Sequence, residues 1–145
     1  MGDPKADGAK SDDWGKFILR LSVGGLMLFH GVHKLMNGTE GISAMIKAKG
    51  LPEVLTYGVY VGEVLAPVLL IVGFATRLSA LVVAGTMVMA IYLAHSGDVL
   101  KINDHGAWAV EHPALFGLGA LAVALLGPGK IAAGGGGGDE KKKDG

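Results

Sequence analysis

Four stretches of this chain are apolar enough to read as bilayer-crossing helices, and between them they nearly exhaust the sequence. They run from about Lys16 to Met36, Val54 to Val72, Arg77 to His95 and Pro113 to Leu126. A hydrocarbon core of roughly 30 Å asks for about 20 mostly apolar residues per helix, because every backbone polar group inside it must be satisfied within the segment. The pattern therefore predicts an all-α, membrane-spanning four-helix bundle. Composition agrees: the 145 residues are 50% hydrophobic and only 18% charged, with a mean hydropathy of +0.46, too apolar for a water-soluble enzyme of this length. Thirteen Lys and Arg balance 13 Asp and Glu, so there is no basic field to hold a nucleic acid. The absence of cysteine excludes disulfides, thiolate zinc sites, iron–sulfur clusters and a cysteine nucleophile.

The connections are short. Asn37-Gly38 and Lys49-Gly50-Leu51-Pro52 bound the first, and Gly73 to Arg77 makes a tight second turn that forces the second and third spans to be antiparallel neighbours. The third, Ser96 to His112, is a polar loop with Trp108 as an interfacial anchor. The domain organisation that follows is a disordered polar tail over residues 1–13, the bundle over 14–131, and a disordered Gly- and Lys-rich tail over 132–145. The first span leads into His-Gly-Val-His-Lys rather than a small-residue cleavage site, which reads as a retained helix and not a signal peptide. An even number of spans puts nine basic residues on the side of the termini and four opposite, an asymmetry that predicts an inner membrane protein with both termini cytoplasmic.

Polar residues collect toward the other side: His30, His33 and Lys34 late in the first span, Glu53, His95, His105, Glu111 and His112. Ionisable groups at membrane depth are costly and usually face the bundle interior, so the cluster is a candidate site, although residues close to helix ends also snorkel to the interface. Glu63 is the most demanding of them. Lying near the middle of its span, its carboxylate costs at least ~2.5 kcal/mol unless paired, protonated or hydrated. The spacing of Glu53, Tyr57, Tyr60, Glu63 and Pro67 puts them on one helical stripe, Gly58 and Gly62 form a small-xxx-small surface, and Pro67 frees the carbonyl of Glu63. His30 or Lys34, one turn apart on the first span, or a ligand, is its expected partner. Three fillings suit such a cluster. A metal would use His30 and His33 with His95 or Glu63, a haem would take His30 and His95 as axial ligands, and a quinone would fit the height gap of roughly 6 Å between His30 and Glu63 at 1.5 Å per residue. In the quinone case His30 donates to a carbonyl oxygen while Glu63 relays a proton.

The order and spacing of these pieces resemble the DoxX family of small four-helix membrane proteins. The resemblance is carried by Ile18-Leu19-Arg20-Leu21, Phe29-His30-Gly31-Val32-His33-Lys34-Leu35, Gly50-Leu51-Pro52, Gly62-Glu63, Val72-Gly73-Phe74-Ala75-Thr76-Arg77-Leu78, the methionines Met87 and Met89, Glu111, and Leu126-Gly127-Pro128-Gly129-Lys130. It implies a membrane subunit of a redox system, quinone-linked and involving sulfur or thiol chemistry, working with a protein partner in a membrane complex. The polar positions Arg20, Lys34, Glu63 and Glu111 carry over from the family; His30 and His33 are this sequence's own emphasis, since the family often has Gln at the second of them. On this reading Glu63 and His30 are the candidate catalytic residues, His30, Lys34, Tyr60, Glu63 and His95 the cofactor contacts, and Arg20, Arg77 and Glu111 structural polar groups. The rival readings are a non-enzymatic anchoring or assembly subunit and a histidine-based metal- or haem-binding module.

Overall fold

In the computed structural model, which describes residues 4–134, five helices account for most of the chain. They are α1 (Pro4–Asn37), α2 (Glu40–Ala48), α3 (Leu55–Val72), α4 (Thr76–Ala94) and α5 (Glu111–Leu126). Helices α1, α3 and α4 are each long and apolar enough to cross a membrane; α5, of 16 residues, is apolar but shorter. Among the described residues there is no strand, only an isolated bridge between Ile102 and Trp108 in the loop before α5. The four apolar windows thus become α1, α3, α4 and α5, an all-helical bundle.

Of the tail expected over residues 1–13, the described part, from Pro4 on, belongs to α1. Asp7 in the first turn complements the helix dipole, and Lys16 pairs with Asp12 one turn back, at 2.6 Å. At 34 residues α1 rises about 51 Å, well beyond a 30 Å hydrocarbon core, and the surplus is its charged N-terminal part.

The core is made where the helices come closest. Val23 and Met27 of α1, Ala66 and Leu70 of α3, Ala80, Val83, Ala84 and Met87 of α4, and Ala120 and Val123 of α5 form one buried cluster. Its small side chains let backbones approach, which is how helices associate when lipid offers no hydrophobic contrast. Large side chains such as Phe29, Leu115 and Leu125 stay exposed, as an apolar solvent permits.

At the end of the bundle that carries the termini, α5 stops at Gly127 (φ +78) and residues 128–134 run back across the helix ends as a strap. Arg20, 1% exposed, holds it by donating to the carbonyls of Pro128 (2.8 Å) and Ile131 (2.6 Å). The N–H groups of Ala133 and Gly134 donate to Val72 and Gly73 at the end of α3. Order therefore extends past residue 131, because the strap satisfies carbonyls that α3 would otherwise leave unpaired. The remainder of the expected C-terminal tail, residues 135–145, lies outside the described residues.

Candidate functional site

Helix α3 is regular except at Val61–Leu65, a π turn in which the N–H of Ala66 donates to Val61, five residues back. Pro67 follows it and cannot donate to the carbonyl of Glu63. The extra residue rotates the helix after it by about 100° relative to a regular one, so the stripe read from the sequence does not survive. Tyr57 and Tyr60 line a cleft of about 510 Å³ with Glu53 and residues of α2, whereas Glu63 turns inward against α1 and α4.

Two glycines set how near Glu63 comes to its neighbours. A methyl group at Gly31 of α1 would fall on the carbonyl oxygen of Glu63, and one at Gly62 would fall on the hydroxyl of Thr86 in α4. With hydrogens there instead, α1 and α4 both close on the π turn. Gly58, the other half of the small-xxx-small pair, faces open space.

Gly31 is thus level with Glu63. Side chains lean toward the N-terminus of their own helix, so the residue that covers this level lies about one turn further along α1. That residue is Lys34. Its Nζ donates to both carboxylate oxygens of Glu63, at 2.5 and 2.6 Å, with the carboxylate side chain 6% exposed and the lysine 26%. The pair is charge-assisted and bidentate at the carboxylate, which is buried, while the lysine is partly so.

Two cavities meet at this pair. The larger, about 530 Å³, lies among α2, α3 and α4, and Lys34 and Glu63 are its only charged lining residues. Ile42, Met45 and Ile46 of α2 cover it, and Val59, Val82 and Met89 form its apolar sides. The hydroxyl of Thr86, also in the wall, is engaged by the carbonyl of Val82 at 2.8 Å. The smaller, about 230 Å³, is lined by Lys34 and Glu63 from its other side and by His30, His95, His112 and Phe116. His30, His112 and Phe116 form a mutual ring cluster with centroids 5.8 to 6.1 Å apart.

The residues singled out from the sequence fall in several different places. His30 makes no hydrogen bond to Glu63, but the two line the smaller cavity together with Lys34 and His95, so four of the five expected cofactor contacts come together there, in a space of about 230 Å³. His33 is exposed and lines neither cavity, and among the described residues no group of three His, Asp or Glu side chains is placed to hold a metal. His30 and His95 share the smaller cavity, whose volume of about 230 Å³ is below the roughly 300–1,000 Å³ of ligand pockets. Tyr60 belongs to the separate cleft, Glu111 is exposed in the first turn of α5, and Arg77 lies beside Gly127 at the end with the strap.

The cover of the large cavity is what the sequence reading missed, because α2 was absorbed into the first connection. Ile42, Met45 and Ile46, spaced three and four residues apart, were the available signal of a short amphipathic helix. Helix α2 is tied down at its rim: Lys47 pairs with Glu53 at 2.9 Å, Ser43 donates to Glu53 at 2.8 Å, and Lys49 donates to Ser96 at 2.9 Å while lying 5.0 Å from the ring centroid of Tyr92. The hydrogen bonds from Lys47 and Ser43 hold the Glu53 carboxyl below the usual carboxylate range.

A helical bundle with apolar exposed flanks, three of its helices long and apolar enough to cross a membrane, is the architecture of a polytopic membrane protein. The chain matches the DoxX family over residues 15–96, more than half its length, and belongs to that family. It is also 33% identical over 82 residues to the protein named Putative oxidoreductase CatD of Bacillus subtilis (strain 168), a stretch covering 57% of this chain and 60% of that relative. This chain thus spans less than two thirds of the relative's length. No solved structure matches it. Every residue lining the large cavity falls within the family match, whereas His112 and Phe116 of the small one lie beyond it.

Proposed function

We propose that this protein is the membrane-embedded subunit of a redox system, and that its large cavity takes a quinone head group against the Lys34–Glu63 pair. The observation that carries the reading is the cavity: about 530 Å³, apolar on all sides, and ending on one lysine and one carboxylate. That volume lies within the usual range for small-molecule sites, and a greasy wall with a few convergent polar groups is what an amphiphilic ring with an isoprenoid tail requires. The name of the relative, Putative oxidoreductase CatD, supports the same chemistry.

A bound quinone supplies two-electron, two-proton redox chemistry. The residues of this chain do the rest. Lys34 Nζ, already between the two helices, donates a hydrogen bond to a ring oxygen. Glu63, at Oε1 or Oε2, takes up or returns a proton. Ile42, Met45 and Ile46 of α2 keep water from the pair, which strengthens both interactions. The role first assigned to His30 passes to Lys34, because the lysine lines the larger cavity as well as the smaller one and the histidine lines only the smaller. The electron donor sits on a protein partner in the same membrane complex, and the basic asymmetry orients the chain in a bacterial-type inner membrane with both termini cytoplasmic.

Calorimetric titration of the detergent-purified protein with a short-chain quinone tests this. Saturable binding is expected, and Glu63→Gln and the cavity-filling Met89→Trp should each weaken it about tenfold, the scale of one lost hydrogen bond to a charged group. His105→Ala, in the polar loop, should leave it unchanged. A parent protein that does not bind would overturn the quinone reading and leave the anchoring or assembly role.

A further inference from the structure

The turn joining α3 to α4 builds a site that the redox reading does not use. Gly73 (φ +79) and Ala75 (φ +45) wind the chain through two left-handed positions, and α4 then begins at Thr76 with no side chain capping its first turn. Its first bond runs from Ser79 N–H to the carbonyl of Ala75, which leaves the N–H groups of Thr76, Arg77 and Leu78 without helical acceptors. Those groups and the dipole of a 19-residue helix make this end electropositive.

Other observations at the same place ask for an acceptor. Thr76 is only 4% exposed, and its Oγ1 is buried with no hydrogen-bond partner. Arg77 has no hydrogen bond or ion pair among the described residues, and its guanidinium lies beside Gly127. Both residues line a cavity of about 340 Å³ closed by Gly73, Leu78, Pro128 and Gly134, with no carboxylate in its wall. The nearby Arg20 spends both terminal nitrogens on the strap carbonyls and keeps only its buried Nε without a partner.

We infer that this cavity binds the phosphate of an anionic phospholipid, held by the Arg77 guanidinium, the Thr76 hydroxyl and the free N–H groups that open α4. One guanidinium and a helix N-terminus match the single negative charge of a phosphodiester. The lipid is favoured over free phosphate by the surroundings. The turn ends two membrane-spanning helices, at head-group level, and Val72, Phe74 and Leu78 beside the cavity are exposed and apolar, a surface for acyl chains. This site stands apart from the Lys34–Glu63 cavity, so its fate and that of the quinone reading are separable.

Delipidated protein in neutral detergent, mixed with phosphatidylglycerol and examined by native mass spectrometry, should retain one lipid that survives detergent exchange. Arg77→Gln should weaken retention about tenfold and Thr76→Val several-fold, with Lys101→Gln at the opposite end unchanged. Because Arg77 is exposed, its replacement leaves the bundle folded, which helical circular dichroism verifies. Inorganic phosphate at millimolar concentration should not displace the lipid. Displacement by phosphate would overturn the lipid as occupant, and equal retention by parent and both variants would overturn the site.

Discussion

The Lys34–Glu63 pair is expensive to build and more expensive to break. Removing two ions from solvent costs several kcal/mol each, and only the two short bonds between them, 2.5 and 2.6 Å, repay it. Glu63→Ala strands a lysine in apolar surroundings, so it should destabilise the bundle by about 3–5 kcal/mol in denaturant unfolding in detergent. The double replacement Lys34→Met with Glu63→Leu removes both charges and should recover most of that loss, since apolar groups of similar volume pack there without desolvation. A double variant as unstable as the sum of the singles would show that the pair does not act as a unit. At this scale the sequence already marked Glu63, because an acid in mid-span is conspicuous. It did not choose between His30 and Lys34. That choice depends on the lean of side chains along α1 and on Gly31 bringing that level of α1 against the Glu63 carbonyl, neither of which a spacing argument fixes.

Helix α3 is interrupted where it carries its acid: Glu63 lies inside the π turn at Val61–Leu65, and Pro67, just beyond it, leaves the regular stripe. Pro67 marks the interruption in the sequence, yet it says only that a bond is lost and not how the helix compensates. The glycines around the turn differ in consequence although they look alike in sequence. Gly31→Ala drives a methyl into the backbone of Glu63 and should cost about 1–3 kcal/mol by parting α1 from α3, with weaker quinone binding as a result. Gly58→Ala meets nothing within 4 Å and should leave stability unchanged or raise it by up to ~1 kcal/mol, as read by thermal unfolding of both variants. A harmless Gly31→Ala would contradict the close approach on which the site's geometry rests. Helix α2 was illegible for a different reason: nine residues between two glycine turns are too few to stand out from a loop by hydropathy, and its apolar face has meaning only over a cavity that other helices make.

For the whole molecule, hydropathy was sufficient to count and order the spans, because lipid penalises any unpaired backbone and leaves the helix as the local answer. What it did not convey was the division of labour between the two ends. One end is fastened by Arg20 and the strap, which draw residues 128–134 over the helix termini; the other holds α2 and the three histidines around the ion pair. The central claim is therefore positional: the head group belongs in the cavity under α2, not among the histidines. Photocrosslinking with an azido-quinone in native membranes, followed by peptide mapping, tests it most directly. The account predicts label on Met45, Val59 or Met89, competed away by unmodified quinone; saturable label on His30, His112 or Phe116 instead, or none at all, would contradict it.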